Sequence, residues 1–145
     1  MGEPSVFPQI SIPLMELTYS VMPVSMGNPH CILFCPHPEE IALDVLGPAL
    51  ERHPVFPDRT NVEFVAVEGD QLRLRVWERG SGITLACGTG ACASAAAAVA
   101  AGYCPAKEEI TARLDGGELQ IRVYPSGEVV MTGPAVTVYK GEIEL

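Results

Sequence analysis

Positive charge is scarce in this chain: 9 Lys and Arg stand against 18 Asp and Glu, a formal net charge of −9. That balance excludes a nucleic-acid surface built on clustered basic residues. Beyond favouring solubility, acidity points to no partner. No run approaches the ~18 apolar residues of a membrane span. The N-terminus, M-G-E-P-S-V-F-P-Q-I-S-I-P-L, lacks a basic n-region, and prolines interrupt its apolar residues, so it does not read as a signal peptide. The 5 cysteines are odd in number and irregularly spaced, which argues against a disulfide framework and for a reducing compartment. Internal repeats and low-complexity linkers are missing too. The expectation is a soluble, cytoplasmic protein with no nucleic-acid and no membrane partner.

What is present is a 145-residue chain, 48% hydrophobic, long enough for a single domain over 1–145 with its own core. Its organising stretch runs from Trp77 to Gly102: W-E-R-G-S-G-I-T-L-A-C-G-T-G-A-C-A-S-A-A-A-A-V-A-A-G. This reads as a strand end, a glycine-rich turn carrying Cys87, and an alanine-rich helix from about Thr89 to Ala101. A helix that is small and apolar all round is a buried one, and Gly102 suits its C′ position. Gly88 and Gly90 let backbone N–H groups turn toward a ligand. A helix N-terminus lowers the pKa of a nearby thiol and attracts a carboxylate or phosphate. Two readings of Cys87 stay open here: a reactive thiol beside an anion cradle, or a small buried hydrophobe.

Upstream, Pro4, Pro8 and Pro13 restrict any strand in 1–13 to a short one at an edge. Leu14–Val24 reads as a strand or an irregular crossing segment. Gly27-Asn28-Pro29 is a turn signal, and Cys31–Phe34 is a short buried strand after it. Asn28 and His30 sit at its mouth, where they either meet a ligand or serve as a turn residue and a hydrogen-bonded structural histidine. His30, Cys31, Cys35 and His37 lack the paired ligand spacing of a zinc site, so no metal is expected. Pro38–Arg52 is helical, with Ile41, Val45 and Leu46 on one face and a break at Gly47-Pro48. Asn61–Val67 and Gln71–Glu78 form a hairpin. Leu72, Leu74 and Val76 mark the core face of its second strand, which puts Glu78 on the core side at the strand end. There Glu78 is either a paired carboxylate that handles protons or a solvated side chain beyond the strand. After the helix, Glu109–Leu114, Leu119–Tyr124, Val129–Met131 and Ala135–Tyr139 alternate as an antiparallel meander. The fold class expected is α+β: a strongly curved, mostly antiparallel sheet wrapped around a central Ala-rich helix.

Taken together, G-N-P-H-C at 27–31, N-V-E-F at 61–64, E-R-G-S-G-I-T-L-A-C-G-T-G-A-C-A at 78–93 and M-T-G-P-A at 131–135 resemble diaminopimelate epimerase. The resemblance covers the chain in order, and it is to the second half of that family's two-domain fold. It implies a pyridoxal-independent isomerase of lysine and amino-acid biosynthesis that interconverts L,L- and meso-diaminopimelate without a cofactor. In that family one cysteine thiolate removes the Cα proton and a second cysteine returns one from the opposite face. By matching motif positions, Cys87 is one of the two acid/base cysteines, and Gly88 and Thr89 hold the substrate α-carboxylate. Asn28, Asn61, Glu78 and Arg79 match substrate-binding residues. His30 and Glu78 match the residues thought to tune the two thiols. The family's tyrosine matching Tyr139 lies at a subunit contact, which implies a homodimer. The first half's C-G-N-G-type cysteine motif has no counterpart here, so the partner implied is that missing N-terminal half. Three other readings remain: a non-catalytic fragment or ligand-binding domain, a proline-racemase-like isomerase, and a Cys–His hydrolase using Cys87 and His30.

Overall fold

The alanine-rich segment does form a helix, and the sheet is built around it. The computed structural model describes residues 4–84 and 88–132. Helix α2 (Gly88–Ala100) buries every residue from Gly90 to Ala98. Its small side chains let strands approach from several sides, because no bulky group holds them off. The buried Ser94 hydroxyl is satisfied by donating to the Gly90 carbonyl at 2.8 Å. The helix ends as the Gly102 reading predicts. Tyr103 N–H donates to Ala98 O at 2.8 Å and Gly102 N–H to Val99 O at 3.1 Å, with Gly102 at φ +82°. This pair of bonds closes the last turn, and the left-handed residue it needs is glycine.

The strands are β1 (Ser5–Val6), β2 (Ile10–Leu14), β3 (Leu17–Ser25), β4 (Pro29–Phe34), β5 (Asn61–Glu68), β6 (Gln71–Glu78), β7 (Gly82–Thr84), β8 (Ile110–Leu114), β9 (Gly117–Val123) and β10 (Val129–Thr132). Among the described residues they form one sheet in the order β1-β3-β4-β5-β6-β8-β9-β10, with β2 beside β3 and β7 beside β6. Most pairings are antiparallel, as expected. The exceptions are β4 with β5 and β6 with β8. A parallel pair needs a long crossover. The first is bridged by helix α1 (Leu43–Glu51) and the second by α2.

Those crossovers cover opposite faces. Ile32, Val65, Leu72 and Leu74 cluster with the alanines of α2. Cys31, Leu33, Val62 and Phe64 cluster with Leu43, Leu46 and Leu50 of α1. Alternation along β4 and β5 therefore sends neighbouring residues to different cores. This is why β5 is buried without a break from Asn61 to Ala66. The sheet thus has a second helical layer besides the central helix.

Three local expectations need correction. Gly47-Pro48 does not break α1, which runs through both residues to Glu51. Packing overrides the local signal: a Cβ on Gly47 would come within 2.5 Å of the Trp77 ring, so the helix needs a bare surface there. The inward face of α1 is Leu43, Leu46, Gly47 and Leu50, while Val45 is 51% exposed. Leu14–Val24 is neither one strand nor irregular. A hairpin turns at Met15 and Glu16, both at positive φ (49° and 71°). Tight hairpins require that geometry but usually recruit Asn or Gly for it.

Candidate active site

Parallel pairing sets the starts of β4 and β5 side by side, and antiparallel pairing brings the end of β6 to the same edge. His30 is paired with Asn61 across the first joint, and Val62 with Trp77 across the second. Asn28 lies just before β4, Asn61 opens β5, Glu78 closes β6 and Arg79 begins the turn to β7. Residues far apart in sequence thus meet at one sheet edge. By the two-residue period, His30, Asn61 and Glu78 fall on the face that α2 covers, together with Ile32, Val65 and Leu74.

Hydrogen bonds tie this edge together. Arg79 N–H donates to Asn61 Oδ1 at 2.7 Å, and Asn61 Nδ2 donates to Pro29 O at 3.1 Å. One asparagine side chain therefore holds the first residue of β4 and the turn after β6. Arg79 Nη1 donates to Asp58 O at 3.0 Å. His30 is buried; its Nε2 lies 3.3 Å from Asn28 Oδ1 and its Nδ1 lies 2.9 Å from Glu63 Oε2. A cleft of about 420 Å³ opens beside these residues, lined in part by Ser25, Asn28, Pro29, Asp58, Arg59 and Arg79. The amide of Asn28 and the guanidinium of Arg79 at its wall suit an anionic or zwitterionic ligand. A larger groove of about 590 Å³ lies by Phe34, Val67 and Tyr103, toward the far end of β5.

Glu78 is half-buried at the end of β6, and its carbonyl accepts the Ser81 N–H at 3.1 Å. Gly88 and Thr89 are half-buried at the start of α2, where the positive end of the helix dipole lies. The first turn of α2 carries no acidic residue to offset that field. A Cβ on Gly88 would come within 3.1 Å of Met131 Cε, so β10 closes over the first turn of the helix. Cys87 and Tyr139 lie outside the described residues, as do Gly133, Pro134 and Ala135 of the last motif.

Cys31, Cys35 and Cys104 are poorly suited to act as bases. Burial, followed by the nearby Glu63 charge, pushes the Cys31 thiol far up from its ordinary value. Burial raises Cys35 to about 11 despite a hydrogen bond from the Val65 backbone. Cys104 is raised by burial and then by Asp70. A base must be a thiolate near neutral pH, and these remain thiols. Among the described residues, no group of three or more His, Cys, Asp or Glu is arranged to hold a metal. No helix among them is long and apolar enough to cross a membrane.

Sequence reasoning overlooked two buried carboxylates. Glu51, with its side chain 4% exposed, accepts from Trp77 Nε1 at 2.8 Å, from Arg59 Nε at 3.0 Å and from Gly80 N–H at 3.3 Å. It pins the Arg59 side of the cleft and the Arg79-Gly80 turn to α1. Glu63 is 0% exposed beside His30. Its signal was a lone acid inside the apolar run N-V-E-F-V-A-V, since a charge in a buried strand requires a partner.

A sequence-family model described as diaminopimelate epimerase matches residues 22–138. The chain is 53% identical over 137 residues to a diaminopimelate epimerase of Phocaeicola vulgatus, covering 93% of this chain and 48% of that one. It is 48% identical over 141 residues to that of Desulfitobacterium hafniense, covering 97% of this chain and 48% of the relative. The chain thus spans about half the length of the curated relatives it matches. Among solved structures, a hydroxyproline epimerase of Agrobacterium vitis superposes with TM-score 0.65 at 15% identity over 99% of this chain and 47% of that one. A probable proline racemase of Agrobacterium radiobacter gives TM-score 0.64 at 18% identity, with 99% and 47% covered. These structural likenesses establish a shared curled-sheet fold.

Proposed function

Because the chain belongs to the diaminopimelate epimerase family, we propose that it forms one half of an epimerase site that inverts the α-carbon of diaminopimelate. The observation that carries this reading is the meeting of Asn28, His30, Asn61 and Arg79 at one sheet edge beside a cleft of about 420 Å³. Family membership supports the reaction class, and the half-length coverage supports a site completed by another polypeptide segment.

In the proposed reaction the Cys87 thiolate takes the Cα proton and becomes a thiol, leaving a carbanion at Cα. A second thiol, supplied by an N-terminal half, delivers a proton to the opposite face and becomes the thiolate. Run in reverse, the roles exchange. A Cα–H next to an ionised carboxylate is a very weak acid, so the site must stabilise the developing charge. The positive end of α2 at Gly88 and Thr89 is suited to hold the α-carboxylate. Asn28, Asn61 and Arg79 are suited to the polar groups at the other end of a zwitterionic substrate. His30 and Glu78 share the α2 face with Asn61 and are assigned to tuning the two thiols. The same reading makes Tyr139 a subunit contact in a homodimer.

The test is Cα proton exchange in D₂O with L,L- and meso-diaminopimelate, for the chain alone and with a separately made first half. Exchange that needs the first half and is lost in Cys87→Ala supports the proposal. Exchange by the chain alone, lost in the same variant, would show that one thiolate suffices to ionise Cα–H. No exchange in either case overturns the enzyme reading and leaves a ligand-binding remnant.

A further inference from the structure

The buried Glu63 carboxylate is an ionisable group of the site region that the reaction above does not use. Its Oε2 lies 2.9 Å from His30 Nδ1, and both side chains are 0% exposed. In the β4–β5 register His30 is opposite Asn61, and Glu63 lies one pleat further along the same face. The imidazole is therefore held between a carboxylate inside the protein and the Asn28 amide at the cleft. Glu63 Oε1 has no hydrogen-bond partner among the described residues. A buried carboxylate oxygen left without a partner is uncommon and calls for an explanation. An apolar side chain of similar size would also be cheaper to bury.

We propose that Glu63 is the positioning residue for His30, fixing a proton on Nδ1 and presenting Nε2 to Asn28, which lines the cleft. The proposed pairing sets an ionised carboxylate against the ring. An ionised carboxylate only accepts, so the ring nitrogen facing it must donate. Nε2 then either carries a second proton toward Asn28 Oδ1 or, with the amide turned over, accepts from Asn28 Nδ2. In both cases Nδ1 donates to Glu63, and Nε2 is the nitrogen whose role follows the Asn28 amide. A histidine intended to exchange protons with a substrate or a thiol needs this arrangement. The functional purpose rests on the epimerase reading above; the tautomer assignment does not.

The experiment is long-range proton–nitrogen NMR of this chain with labelled histidine. His30 is separated from His37 and His53 by its slow solvent exchange and by loss of its signals in His30→Gln. The expected result is a protonated Nδ1 across the neutral pH range. In the isosteric Glu63→Gln, the amide can either accept from or donate to Nδ1, so a mixture of tautomers is expected. A wild-type His30 protonated on Nε2 alone overturns the proposal, and so does a Glu63→Gln protein whose tautomer is unchanged. With the first half added, Glu63→Gln should lower kcat for Cα exchange about tenfold or more with KM little changed, within the range of general acid–base contributions. Unchanged kcat alongside an altered tautomer would refute the catalytic purpose. Absence of exchange in the wild type would instead count against the epimerase reading, and the NMR result would still decide the tautomer.

Discussion

At the scale of single residues, the decisive effects are what buried ionisable groups find around them. Burial raises the Glu51 pKa, but hydrogen bonds from Trp77, Arg59 and Gly80 and the Arg59 charge outweigh it, so the carboxyl is held below its ordinary value. Its contribution to stability is therefore complete above the unfolded pKa of about 4.3 and is lost as pH falls through the lower folded value. Glu51→Gln places an amide donor against donors and should cost about 1–3 kcal/mol in denaturant unfolding at pH 7. The gap between variant and wild type should narrow as pH drops below about 4, and a gap independent of pH would refute the assignment. Cysteine reactivity follows the same logic with the opposite sign. With Cys35 pushed up to about 11, its alkylation by iodoacetamide should be slow at pH 8 and climb steeply above pH 10. Cys31 should resist labelling until the protein unfolds. Peptide mapping after timed alkylation reads both.

Elements are decided by how closely their surfaces approach. Gly47 in α1 lies against the Trp77 ring, with 2.5 Å to the nearest ring atom from a built Cβ. Propensity alone predicts that Gly47→Ala gains ~1 kcal/mol. The contact predicts the reverse, a loss of about 1–3 kcal/mol, because the rigid indole cannot yield without straining its bond to Glu51. Thermal unfolding distinguishes the two, and a rise in Tm would refute the packing account. Gly88→Ala differs in kind, since the atom it meets is the flexible end of Met131 at 3.1 Å. It should cost little stability, and the proposed function places any effect in ligand binding at the start of α2. Within α2 the limit is space on every side: Ala95→Leu adds three carbons where exposure is 0% and should cost more than Gly88→Ala.

For the whole molecule, the two helical layers share one sheet. β5 contributes Val65 to the core around α2 and Val62 and Phe64 to the core around α1. Neither core can open without removing a wall of the other. Chemical unfolding followed by Trp77 fluorescence, which reports on α1, should coincide with far-UV circular dichroism, which reports on both helices. Separate midpoints would show that the layers are independent. Under the proposed function, another polypeptide segment covers the cleft edge, and the proposed homodimer adds a further contact. Sedimentation at high concentration that yields only a monomer would argue against the dimer.

Much of this architecture was legible from the residues alone. The run of alanines has no charge on any face, so α2 had to be buried whichever partner surrounded it. Alternation of Leu72, Leu74 and Val76, with Glu68-Gly69-Asp70 before them, marked β6 and its turn. Gly102 marked the end of α2. These features depend only on residues within a turn or two along the chain. Asn28, His30, Asn61 and Arg79 were legible as candidates through their motifs, but not their meeting. That depended on two sheet joints, which set partners far apart in sequence side by side. The β4–β5 joint decided the partner of Glu63, which finds His30 33 residues away, and the packing of α1 on the sheet decided that of Glu51, which Trp77 finds 26 away. Tertiary packing also carried α1 through Gly47-Pro48, because the indole surface rewards an absent side chain more than the missing hydrogen bond of Pro48 penalises the helix. Short-range pattern determines which segments are helix or strand and which faces are buried; register and packing determine which polar groups meet inside, because that energy exists only once distant strands are paired.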